Sequence, residues 1–102
     1  MLRYPIHATP IVRELLKEAQ RAGLSFTTLY KVLGISKASL YRFAYHGADP
    51  SIPTRIVIVS LTRRLEAAME AGRLPLPAVH ADDVARLRDI LWGAEDERRL
   101  VV

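Results

Sequence analysis

The chain contains no cysteine, which excludes disulfides and thiolate metal sites. It contains no run of about eighteen apolar residues, so no transmembrane helix is expected. Met1-Leu2-Arg3-Tyr4-Pro5 lacks the long apolar stretch of a secretory signal, and the expected location is the cytoplasm. Histidine is sparse. His7, His46 and His80 are far apart, none has a ligand partner three or four residues away, and no metal site is expected. The serines fall where helices begin, not beside a usable histidine and acid, so no catalytic constellation is visible and no enzyme is expected. No signature of a cofactor or small-molecule ligand is present either.

What the chain does have is charge of one sign in one region. The net charge is +4 and the pI about 9.9. Residues 1–71 hold ten Lys and Arg against five acids, whereas residues 72–102 hold five Arg against six acids. A basic body with a near-neutral tail suits a polyanionic partner. Half of the 102 residues are apolar, enough for one small core.

Proline and glycine cut the chain into about five helical stretches. The first is expected from Pro10 to Ala22, with Thr9 as its N-cap, Pro10 at the first helical position and Gly23 as its stop. Ile11, Val12, Leu15, Leu16 and Ala19 form its apolar stripe. Ser25 caps a short helix from Phe26 to Leu33 that Gly34 ends. Ser36 caps a third through Tyr45, which His46 closes.

A fourth helix is expected over Pro53–Ala71, with Val57, Leu61, Leu65 and Ala68 inward and Gly72 beyond. The β-branched run Ile56-Val57-Ile58-Val59 leaves a strand open as the alternative there. Leu74-Pro75-Leu76-Pro77 reads as a stiff connector. Asp82 and Asp83 mark the start of a last helix, with Val84, Leu87, Ile90 and Leu91 as a narrow seam. That seam serves either dimerisation or completion of the core. From Gly93 the tail is charged and read as lying beyond the regular helix, apart from Leu100-Val101-Val102. Trp92 and Tyr4 are read as half-buried. The organisation is therefore residues 1–73 as one domain, 74–80 as connector and 81–102 as C-terminal helix and tail. The fold class is an all-α bundle of four to five helices.

Within this frame, Phe26–Phe43 has the spacing of a helix-turn-helix. Gly34 occupies the turn, where left-handed backbone geometry is needed. Leu29, Leu33, Ile35, Leu40 and Phe43 fall where the two helices pack together. Gly-Leu-Ser…Leu-Gly-Ile-Ser…Leu-Tyr-Arg-Phe, over Gly23–Phe43, resembles the phage-repressor (Cro-like, lambda-repressor-like) helix-turn-helix family. Gly47 and Pro50 after the third helix, and a fourth core helix, also match, so the likeness covers roughly residues 10–71. Two features depart from it. The family usually has alanine at the position of Tyr30. The segment Gly34–Arg42 taken alone is also similar to TetR-type repressors, DNA invertases and Fis-like activators.

The resemblance implies that helix 36–45 reads the major groove of double-stranded DNA. Ser36, Lys37, Ala38, Tyr41 and Arg42 are the expected base contacts: Lys37 and Arg42 can donate to guanine, and Ala38 can meet a thymine methyl. Ser25, Thr27, Thr28, Lys31, Tyr45 and Arg55 are the expected phosphate contacts, the first three at a helix N-terminus. The expected function is a sequence-specific transcriptional regulator, a homodimeric repressor of phage or mobile-element type. The alternative is a protein-interaction module on the same fold: an antitoxin, a phage adaptor or a polymerase-binding factor.

Overall fold

A computed structural model describes the backbone of residues 8–101 and side chains as far as Gly93. The expectations for Tyr4, His7 and the Leu100-Val101-Val102 side chains lie outside the described residues.

Five α-helices and no strand occur among the described residues: α1 (Pro10–Arg21), α2 (Phe26–Leu33), α3 (Lys37–Tyr45), α4 (Ile52–Glu70) and α5 (Val84–Val101). A single 3₁₀ turn, Ala78–His80, interrupts the connector before α5. None of these helices is long and apolar enough to cross a membrane. The Cα radius of gyration, 13.4 Å, is that expected of one compact unit of this length.

The local signals explain most of the boundaries. Ser25 accepts the Thr28 N–H at 3.1 Å, and Ser36 accepts the Ser39 N–H at 3.0 Å. Each satisfies a donor that the helix itself leaves free. Gly34 ends α2 at φ 75°, ψ 25°, and a Cβ there would meet nothing within 4 Å. Conformation, not space, is therefore what suits glycine at this turn. Thr9 departs from expectation. It precedes α1 with extended backbone, but its hydroxyl makes no cap bond and is buried without a partner among the described residues. Pro10 alone sets the start of that helix.

α1 and α4 form the most extensive helix pair. Val12, Leu15, Leu16 and Ala19 of α1 are buried in the same core as Ile58, Leu61, Leu65 and Ala68 of α4. Each fully buried aliphatic side chain contributes roughly 1.5–3 kcal/mol of transfer free energy. The β-branched run in α4 is helical throughout, so the strand alternative is excluded. The phase of that helix also differs from expectation: Ile58, not Val57, enters the core, and Val57 is 40% exposed. Ile58, Leu61 and Leu65 share one face at helical spacing, and Val57 lies a full 100° step from Ile58, off that face. Thr62, buried beside them, donates its hydroxyl to the Ile58 carbonyl at 2.8 Å, so no polar group is stranded.

α3 packs on α1 and α2, and α5 packs on α2 and α4. Of the two roles open to the C-terminal seam, its side chains take core completion: Leu87 and Leu91 are buried in the common core, and Val84 and Ile90 pack against it. The helix itself continues past Gly93 to Val101, beyond the expected end of the seam. Trp92 is half-buried, with the Arg64 guanidinium 5.4 Å from its ring centroid.

Candidate nucleic-acid interface

α2 and α3 are joined by the turn Gly34-Ile35-Ser36. Leu29 and Leu40 are fully buried, Leu33 is nearly so, and Ile35 and Phe43 pack against the same core. These residues hold α3 by one side. Leu40 and Ala44 face inward, which leaves Lys37, Ala38, Tyr41 and Arg42 exposed on the other side. No side-chain hydrogen bond or ion pair with the described residues engages Lys37 or Arg42, so both cations are available to an external anion. Tyr30 is half-buried and packs at the margin of the core.

The exposed edge of α3 is stiffened by aromatic contacts. Tyr41 is 49% exposed, yet its ring lies 4.9 Å from that of Tyr45 and 5.4 Å from that of His46. Tyr45, expected at the surface, is half-buried and continues the row to Phe26 at 6.1 Å. Tilted rings at these separations attract one another and restrict rotamers. His46 closes α3 as its C-cap, its N–H bonded to the Arg42 carbonyl at 3.0 Å.

The six expected phosphate contacts do not form one group. Thr27 and Lys31 are exposed on α2. Thr28 is buried, 2% exposed, and its hydroxyl donates to Asp82 Oδ1 at 2.9 Å. Ser25 approaches the same carboxylate oxygen at 3.4 Å and donates to Thr28 Oγ1 at 2.9 Å. A carboxylate of the chain itself therefore sits over the N-terminus of α2, where anions are favoured. Arg55 stands apart from α2, on the outer face of α4 beside Ile52 and Ile56.

Asp82 is the residue that sequence reasoning placed elsewhere. Of the Asp82-Asp83 pair, only Asp83 serves α5, accepting the Arg86 N–H at 3.0 Å. Asp82 reaches back across the fold to α2. Arg88 acts in the same way, donating to the Lys31 carbonyl near the end of α2. The one sequence hint was that two acids stood where a single cap suffices.

One acidic cluster lies away from these helices. Glu14, Glu18 and Glu66 bring carboxylate oxygens within 4.8 Å of one another. Glu18 is buried and paired with Arg21 at 3.1 Å. His46 and His80 belong to no such cluster among the described residues.

No protein-family model matches the chain, and neither a curated protein nor a solved structure is significantly similar to it.

Proposed function

We propose that the chain is a sequence-specific double-stranded DNA-binding regulator, a repressor of phage or mobile-element type, in which α2 and α3 act as a helix-turn-helix. The observation that carries this reading is the exposed row Lys37, Ala38, Tyr41 and Arg42 on a short helix whose opposite side is buried. A recognition helix needs that division: apolar anchors behind, hydrogen-bond donors and a small apolar contact in front. Ser36 is exposed at the tip of α3 and completes the base-reading set. The positive charge of residues 1–71 favours the approach of a polyanion.

The phosphate-binding part of the proposal is narrower than the sequence suggested. Thr27 and Lys31 are exposed on α2, and Tyr45 belongs to α3 itself. Ser25 and Thr28 contribute only when Asp82 gives way, because a phosphate and a carboxylate compete for the same hydroxyl donors and repel one another. Arg55 belongs to a different face.

Selection from a pool of random duplexes tests the reading. The expected outcome is one enriched short sequence, with affinity falling steeply as salt rises. Recovery of no preferred sequence, together with weak and salt-insensitive duplex binding, would reject it in favour of a protein-interaction module.

A further inference from the structure

α4 separates its charges. All three of its arginines, Arg55, Arg63 and Arg64, line one groove together with Arg73 just beyond its end, and no carboxylate among the described residues joins them. Both of its acids, Glu66 and Glu70, lie on the α1 side, in a cleft that also holds Glu14 and Glu18. Arg55, Arg63 and Arg73 make no ion pair or side-chain hydrogen bond with the described residues. Arg64 is engaged at the groove wall, donating to Ser60 at 3.2 Å and to the Leu91 carbonyl at 2.8 Å.

Between these cations the surface is apolar. Ile52 and Ile56 are 73% and 65% exposed. With Val59 and Ala67 they recur at helical spacing along the side of α4 that faces away from the core. Toward the end of the helix Ala67 and Ala71 are small, and Ile90 and Leu91 of α5 form a wall beside them. The result is an open groove of about 960 Å³, running along α4 for about 28 Å from Ile52 to Ala71.

Apolar floor and unpaired cations together narrow the choice of occupant. A second copy of the chain would bring arginine against arginine. A nucleic-acid backbone would satisfy the guanidiniums, but the isoleucines would gain nothing from facing phosphates. A single small anion is too short, because Arg55 and Arg63 stand about 12 Å apart along the helix axis. A rod with an apolar stripe and acids on its flanks matches both features. A helix laid in a groove anchors through residues at i, i+3 or i+4, and i+7, and arginine takes carboxylates in a two-pronged fashion.

We propose that this groove binds an acidic amphipathic helix of a partner protein. Its large apolar side chains cover Ile56 and Val59 and fill the recess at Ala67 and Ala71, and its carboxylates meet Arg55, Arg63 and Arg73. Exposed ion pairs add little affinity. The apolar anchors therefore supply most of the binding, and the arginines select an acidic partner over a basic one. No residue of α3 lines the groove, so the site is separate from the proposed DNA-reading helix and does not depend on that reading.

Selection of the full chain against a displayed library of random peptides of about sixteen residues, without DNA, tests the site. The enriched peptides should be net acidic, with large apolar residues at helical spacing. A fluorescein-labelled synthetic copy of the most enriched peptide should bind in anisotropy titrations, more weakly as salt rises. Ile56→Glu and, separately, Arg63→Glu should each raise its Kd by roughly tenfold or more, and Ala67→Trp, which fills the recess, should do the same. All three positions are exposed, so circular dichroism and Tm should stay as in the parent. The same peptide with its acids changed to lysine should lose the parent chain and gain affinity for Arg63→Glu. No enrichment of acidic apolar sequences, or a peptide indifferent to both Ile56→Glu and Arg63→Glu, would overturn the proposal. Binding to phosphatidylglycerol vesicles that Ile56→Glu abolishes, with no peptide enriched, would assign the face to a membrane instead. Loss of duplex binding in Arg63→Glu as large as in Arg42→Ala would assign the arginines to DNA, and also overturn it. Peptide capture with no duplex preference would reject the regulator reading alone.

Discussion

α2 and α3 begin with the same device and end in different circumstances. Ser25 and Ser36 each accept a backbone N–H three residues on, and each donates its hydroxyl to a second one, on Thr28 at 2.9 Å and on Ser39 at 2.8 Å. At α2 the Asp82 carboxylate then closes over the pair. At α3 the cap stays exposed, with Lys37 and Ala38 beside it. Two helix starts that are nearly interchangeable locally thus differ in surroundings: one lies under a carboxylate of the chain, the other faces solvent. The difference comes from α5, whose connector carries Asp82 across the molecule. A helix N-terminus shows where an anion is favoured, and the rest of the chain decides whether the position is still free.

The largest break in this comparison is removal of the anchor behind the open cap. Leu40 is fully buried, and Leu40→Ala should cost about 2–5 kcal/mol in urea-denaturation experiments through lost burial and a residual cavity. A smaller loss would mean that α3 is less firmly held than its burial implies. Next in size is Arg42→Ala, which leaves folding alone. If α3 reads DNA, binding to the selected duplex should weaken by about 1–3 kcal/mol, and discrimination at one base position should relax. Unchanged titration curves would remove Arg42 from the reading set.

The two caps themselves sharpen the contrast. Ser36→Ala should lower stability by about 1 kcal/mol, a usual value for a lost N-cap. Ser25→Ala should cost less, because the Asp82 carboxylate remains close to the N-terminus of α2 to accept in its place. Equal losses in parallel melts would show that Asp82 does not share the capping role. The smallest effect expected is that of Asp82→Asn. Losing a negative charge at the start of α2 should cost about 0.3–1 kcal/mol of stability. The same substitution should tighten duplex binding at low salt by removing a carboxylate near the phosphates. Weaker binding in a fluorescence-anisotropy titration would place α2 away from the DNA backbone.

The helices were legible because their signals are local. Ser25, Gly34 and Ser36 act within one turn, and their geometry depends on neighbours only a few residues away. The division of α3 into buried Leu40 and Ala44 and exposed Lys37, Ala38, Tyr41 and Arg42 follows equally from helical periodicity. Periodicity was less decisive where it was saturated. In Ile56-Val57-Ile58-Val59 every position is apolar, so the pattern carries no phase, and only packing against α1 selects Ile58 over Val57. Tyr45 was read as outward from its register, but Phe26, on another helix, draws it half inside. Thr9 had the right residue type and backbone for a cap, yet its hydroxyl turns into the protein.

By itself, the sequence determined the bounds of α1 to α4 to within a residue, the αL turn at Gly34 and the face of α3 that stays in water. Each follows from backbone conformation and from a period that one helix imposes on its own residues. The tertiary structure alone decided that Leu87 and Leu91 complete the core, that Asp82 occupies the start of α2, and that Ile52 and Ile56 are left uncovered. Those outcomes depend on residues distant in the chain meeting in space, and no local rule fixes which of two suitable surfaces a helix will cover.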